Sequence, residues 1–145
     1  MSLVGLGAIQ GKNIAMAKPQ TFMNLSGPAV RWLLDWYELK PDRLILVYDE
    51  LDLAWGSMKI KPKGSAAGHK GAKSVIGSVG TDEFTRVRLG IHPGHGVNGE
   101  DFVLRPFKRP QKREVEDTVA RGCAAVESII AEGVEKSMTV FNRRA

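Results

Sequence analysis

The hydrophobic pattern changes its period several times along the chain. Residues 3–9 and 12–18 are mostly small or apolar, and Gly11-Lys12-Asn13 lies between them, which predicts two short strands joined as a hairpin. Pro19 ends the second. Val30, Leu33, Leu34 and Tyr37 then recur at i, i+3, i+4 and i+7, the spacing of an amphipathic helix over 27–38. Ser26 is its expected cap, Pro28 sits in its first turn, and Pro41 stops it. Leu44 to Tyr48 is a continuous apolar run ending at Asp49, the pattern of a central strand buried on both faces. Met58-Lys59-Ile60-Lys61 alternates, as does Arg86-Val87-Arg88-Leu89-Gly90-Ile91, so each predicts a strand with its cations on one side. A small-residue loop, Gly64 to Gly68, precedes a helix expected over 70–79, and residues 92–99 read as a glycine-rich loop. Val115, Val119, Cys123, Val126 and Ile130 line one face of a long helix over 111–132, which puts Cys123 in the core. Gly133 stops it, and 135–142 adds a last turn or two. Strands alternating with helices predict an α/β fold: three layers, with a mixed, mostly parallel central sheet flanked by helices.

The chain has 145 residues, which suits a single domain over 1–145. Its 43% hydrophobic and 26% charged residues exclude a disordered chain. No apolar run reaches the roughly 18–20 residues of a membrane span, and the first residues lack the basic start of a signal peptide. The lone cysteine, Cys123, excludes an internal disulfide and a cysteine metal cluster, which points to the cytoplasm. The net charge is +5, unevenly spread. Residues 1–56 hold 5 basic and 6 acidic side chains, residues 57–92 hold 7 and 2, and residues 93–145 hold 9 and 8. A basic field confined to 57–92 suits a polyanion, most often nucleic acid; the plainer account is solubility.

Three places have candidate chemistry. Asp49 ends the apolar run, and with Glu50 and Asp52 it makes three carboxylates within four residues. They orient a base, hold a metal or form a turn; spacing alone favours the turn, and no histidine spacing accompanies them for a metal. Thr21 to Gly27 sets Asn24 beside Phe22 and Met23 at a helix start, which suits an anion or carbonyl oxygen, or else is a cap with core aromatics. Gly64 to Gly71 lets a backbone approach a ligand, but its spacing is not that of a phosphate-binding Walker loop, and His69 there is more simply a capping residue. Lys59, Lys61 and Lys63 share one side by strand alternation, as do Arg86 and Arg88. If the two strands are neighbours, five cations meet on one phosphate-binding surface, or alternatively form a solvated edge.

In order and spacing, Lys18-Pro19-Gln20-Thr21-Phe22-Met23-Asn24-Leu25-Ser26-Gly27, Tyr48-Asp49-Glu50-Leu51-Asp52-Leu53, Gly64 to Gly71, and Arg86 to Ile91 resemble the bacterial-type peptidyl-tRNA hydrolases. The resemblance runs from about residue 3 to the C-terminus. It implies hydrolysis of the ester between a peptide and the 3′-terminal ribose of tRNA by base-activated water, with no metal or other cofactor. It also implies roles for named residues. Asn24 positions substrate and water, and Asp49 orients the catalytic histidine. Met23 walls the pocket, while His69 and Lys70 lie at its rim. Lys59, Lys61 and Arg88 contact tRNA, with Lys63 and Arg86 on the same expected face.

Two departures accompany it. The family's Gly-Leu-Gly-Asn-Pro-Gly turn and its histidine-bearing Arg-His-Asn segment have no counterpart, and no histidine precedes His69. Residues 3–18 align instead with the later hairpin that leads into Lys18-Pro19. The chain therefore reads as the family domain without its first strand–helix unit, weak or inactive in catalysis. Lys70 also stands where the family has asparagine, so a group that both donates and accepts becomes a donor only. The alternatives are a non-catalytic tRNA- or RNA-binding relative, or a structural fragment that self-associates through an exposed sheet.

Overall fold

The computed structural model describes residues 2–92, 105–108 and 111–142. The loop expected at 92–99 lies, beyond His92, outside the described residues. Strands and helices make an α/β fold. By compactness the chain forms two units, residues 1–46 with 61–86 and residues 47–60 with 87–145.

In the first unit, β1 (Ser2–Ile9) pairs antiparallel with β2 (Lys12–Pro19), Ile9 opposite Lys12. The turn is Gln10-Gly11, both at positive φ (50° and 75°), the geometry that suits the twist of a two-residue hairpin. This hairpin is a two-stranded sheet of its own, so the strands do not all join one central sheet as expected. Leu3, Leu6 and Met16 are exposed on it. Helix α1 (Ser26–Trp36) packs on helix α2 (Lys70–Val79). Val30 and Leu34 meet Val75, Val79 and Phe84 in the core, each contributing about 1.5–3 kcal/mol by burial. The helices touch closely at Gly27, where a Cβ would stand 2.0 Å from the carbonyl oxygen of Ser74. Ser26 does not cap α1 from outside. It is the first helical residue, and its hydroxyl donates back to the Met23 carbonyl at 2.8 Å.

Strands β3 (Ile45–Ala54), β4 (Met58–Lys61) and β5 (Thr85–His92) form a three-stranded sheet in the order β3-β5-β4. The apolar run 44–48 is therefore not a central strand. β3 is an edge strand among the described residues, and Val47 is 46% exposed on it. Asp49 does not end β3, which continues five residues further with alternating burial, so the carboxylate cluster is strand rather than turn. In the second unit, helix α3 (Lys112–Glu132) turns at Gly133 into helix α4 (Val134–Phe141). The buried positions of α3 are Gly122, Ala125 and Ile129, a face rotated from the expected stripe. Cys123 is therefore exposed, not core. The buried Ser137 hydroxyl holds the helix junction through Ser128 and the Gly133 carbonyl, at 2.7 and 2.8 Å. The Asn142 amide accepts from the N–H of Ile60 at 2.7 Å and donates to its carbonyl at 2.9 Å, on edge strand β4.

Candidate active site and basic strands

In the first unit, Met23 and Asn24 lie in a single 3-10 turn, Met23–Leu25, that runs directly into α1. The Gly27 N–H donates to the Ser74 hydroxyl at 2.8 Å and ties this turn to α2. A Cβ at Gly71 would meet the Met23 sulfur at 2.6 Å, so the missing side chain seats Met23 against the start of α2. Asn24, Lys70, Lys73 and Ser74 line an open depression of about 400 Å³. Asn24 is exposed, and its side-chain amide makes no hydrogen bond among the described residues. It is thus not the cap that its sequence context also allowed. Lys73 and Ser74 do not stand out in the sequence. Their signal is helical spacing, three and four residues after Lys70 on the same face. An amide, two ammonium groups and a hydroxyl around one depression suit an anionic or carbonyl-bearing ligand.

His69 caps α2. Its Nδ1 accepts from the Ala72 N–H at 3.0 Å, which leaves the proton on Nε2. With that ring nitrogen engaged as an acceptor, the opposite edge of the ring is a donor rather than a base.

In the second unit, burial along β3 alternates about Asp49. Tyr48 and Glu50 are buried and Asp49 is half-buried on the opposite face. Arg88 reaches both buried neighbours, donating from Nε to the Tyr48 hydroxyl at 3.0 Å and standing 3.7 Å from Glu50. Lys59 is exposed on β4.

The five expected surface cations divide. Lys59 is exposed, Lys61 half-buried, and Lys63 exposed beyond the end of β4, where strand alternation no longer places it. Arg86 is 0% exposed, and its guanidinium donates to the carbonyls of Ser65, Asp82 and Phe84 and lies 4.4 Å over the Phe84 ring. Arg88 is also buried. The expected five-cation surface is corrected accordingly: β5 is the central strand and both of its faces are covered, so its arginines turn to internal acceptors. Among the described residues no group of three or more His, Cys, Asp or Glu side chains is placed to hold a metal ion, and no helix is long and apolar enough to cross a membrane.

The family model described as peptidyl-tRNA hydrolase matches residues 1–145. The match spans the whole chain and lends no support to a missing unit, and nothing in these likenesses supports self-association. A peptidyl-tRNA hydrolase of Solibacter usitatus is 56% identical over 145 residues, covering 99% of this chain and 74% of the relative. That of Bacillus subtilis is 39% identical over 143 residues, covering 98% and 76%. The crystal structure of the peptidyl-tRNA hydrolase from Acinetobacter baumannii superposes with a TM-score of 0.87 at 26% identity, covering 97% of this chain and 72% of that one, and supports an α/β fold with a mixed sheet. The chain belongs to the peptidyl-tRNA hydrolase family, hydrolases that act on ester bonds.

Proposed function

We propose that this chain hydrolyses the ester between a peptide's carboxyl carbon and the 3′-terminal ribose of tRNA in the cytoplasm, without a metal or other cofactor. The observation that carries this reading is the depression lined by Asn24, Lys70, Lys73 and Ser74, where the Asn24 amide makes no hydrogen bond among the described residues. An amide that donates and accepts can hold a substrate carbonyl and align a water, and donors aimed at developing oxyanion charge lower the barrier. Met23 walls the site, and the Nε2–H of His69 together with Lys70 holds the peptide or the RNA end. Asp49 orients the base. Lys59, Lys61 and Lys63 take RNA phosphates.

No histidine precedes His69 in these residues, and the Nδ1 of His69 is occupied by its cap. The test is cleavage of an N-blocked aminoacyl-tRNA by the purified 145-residue chain. Measurable release, lowered about 10²-fold by Asn24→Ala, is the expected result. Salt-sensitive tRNA binding with no cleavage would instead favour the non-catalytic RNA-binding alternative, and turnover unaffected by Asn24→Ala would overturn the site.

A further inference from the structure

We propose that Ser74 is a positioning residue for Asn24, acting through the N–H of Gly27; this rests on the reading of Asn24 given above. Asn24 lies in the 3-10 turn Met23–Leu25, and neither that turn nor the start of α1 has a side-chain cap. The hydrogen bonds inside the segment are local. The Leu25 N–H donates to the Phe22 carbonyl at 2.9 Å, and the N–H and hydroxyl of Ser26 both donate to the Met23 carbonyl. Local bonds give the turn its shape but do not fix where it stands. The exposed Asn24 amide is therefore aimed only as well as its turn is anchored to something else.

The anchor comes from α2. The first turn of a helix leaves N–H groups with no partner inside the helix. Pro28 has no such group, and the Gly27 N–H donates across to the Ser74 hydroxyl at 2.8 Å. The two residues are 47 apart in sequence, so this bond ties the turn to a separate element. Gly27 is buried, and its missing side chain permits the approach: a Cβ there would collide with the Ser74 carbonyl and the Ser78 hydroxyl. Met23 packs against Gly71 beside it. Such packing resists closer approach but not sliding, whereas a hydrogen bond has direction. Gly27 comes three residues after Asn24, so the bond acts within one turn of the amide it aims. Ser74 is itself half-buried and lines the same depression as Asn24. Without its hydroxyl the buried Gly27 N–H would have to find water, and the first turn of α1 would shift to reach it.

The experiment compares Ser74→Ala, Ser74→Thr, Ser74→Asn, Asn24→Ala and the double change Ser74→Ala with Asn24→Ala against the unmodified chain. Single-turnover cleavage of N-blocked aminoacyl-tRNA at saturating protein reads the site, and ¹⁵N relaxation of the Asn24 backbone and side-chain amides reads the turn. Ser74→Ala should cleave about tenfold more slowly, as a small misplacement of a working group does, and its Asn24 amides should become more mobile. Ser74→Thr and Ser74→Asn keep an acceptor, and at least one should recover most of the rate. In the Asn24→Ala chain, adding Ser74→Ala should slow cleavage no further, because a residue that acts only through another has nothing left to position. The proposal is overturned if Ser74→Ala cleaves at the unmodified rate, if neither acceptor variant recovers it, if the Asn24 amides keep their order in Ser74→Ala, or if the two losses multiply. Multiplied losses with unchanged thermal melting would put the Ser74 hydroxyl on the substrate itself, and a lowered melting temperature would make its role one of stability. An unmodified chain that cleaves nothing sinks the proposed activity instead, and the Asn24 amides still decide whether Ser74 anchors the turn.

Discussion

β4 and β5 share one sequence pattern and have opposite fates. Each alternates apolar residues with cations, Met58-Lys59-Ile60-Lys61 in one and Arg86-Val87-Arg88-Leu89 in the other. On β4 the alternation divides core from water: Met58 and Ile60 are buried and Lys59 is exposed. On β5 both faces are buried and the arginines are interior. The difference is position in the sheet. Among the described residues β4 is an edge strand, whose lysines also deter stray pairing, and β5 is central. The choice of cation follows. Arginine's five donors can satisfy several internal acceptors at once, as Arg86 does with three carbonyls, while lysine's compact charge is best left hydrated. Alternation thus reports which residues share a face, and its neighbours decide whether that face is wet.

The sharpest way to break this comparison is Arg86→Ala. Three carbonyls lose their donor and Phe84 loses its cation, so unfolding in urea should show a loss of about 4 kcal/mol, in the range found when a buried charged group is removed from its partners. A loss below about 1 kcal/mol would mean that the guanidinium is hydrated after all. Next in size is Ile60→Ala on β4, which should cost about 3 kcal/mol in the same urea titration as a fully buried side chain leaves a cavity. It tests whether the apolar half of the edge strand is seated as firmly as the central strand. The smallest effect on stability belongs to Lys59→Ala and Lys61→Ala, each within about 0.5 kcal/mol by thermal melting. Those same two changes should reduce the salt dependence of tRNA binding by about one unit of slope for each phosphate that no longer meets a lysine. An unchanged slope would remove the lysines from the RNA surface.

Much of the fold is legible in the sequence. The hairpin, both helices of the first unit and the long helix fall within a residue or two of their expected bounds, because each follows from periodicity and from a local stop such as Pro19, Pro41 or Gly133. What periodicity misses is non-local. An apolar run at 44–48 looks the same whether it is flanked by one strand or by two, so the edge position of β3 is invisible there, as is its continuation through Asp49. The expected stripe on α3 is rotated from the buried face, since Gly122 and Ala125 count for little in a hydrophobic tally yet allow close approach. Gly122 lies against Leu89, and Cys123 turns outward. Of the candidate site, Met23, Asn24, His69 and Lys70 follow from motif resemblance, and the capping histidine is also legible from its place before a helix. Lys73 and Ser74 need the fold, because nothing in their types marks them until α2 sets them beside Asn24.

The Asn142 side chain meets the N–H and the carbonyl of Ile60 as a peptide unit of a further strand would. One residue near the end of the described chain therefore imitates an added strand at a single rung and occupies both ladder groups of that rung. The consequence is practical. Changes made just after α4 act on the sheet as well as on that helix. A protein handled this way, and then found prone to pair edge to edge, would have lost a one-residue guard rather than a fold.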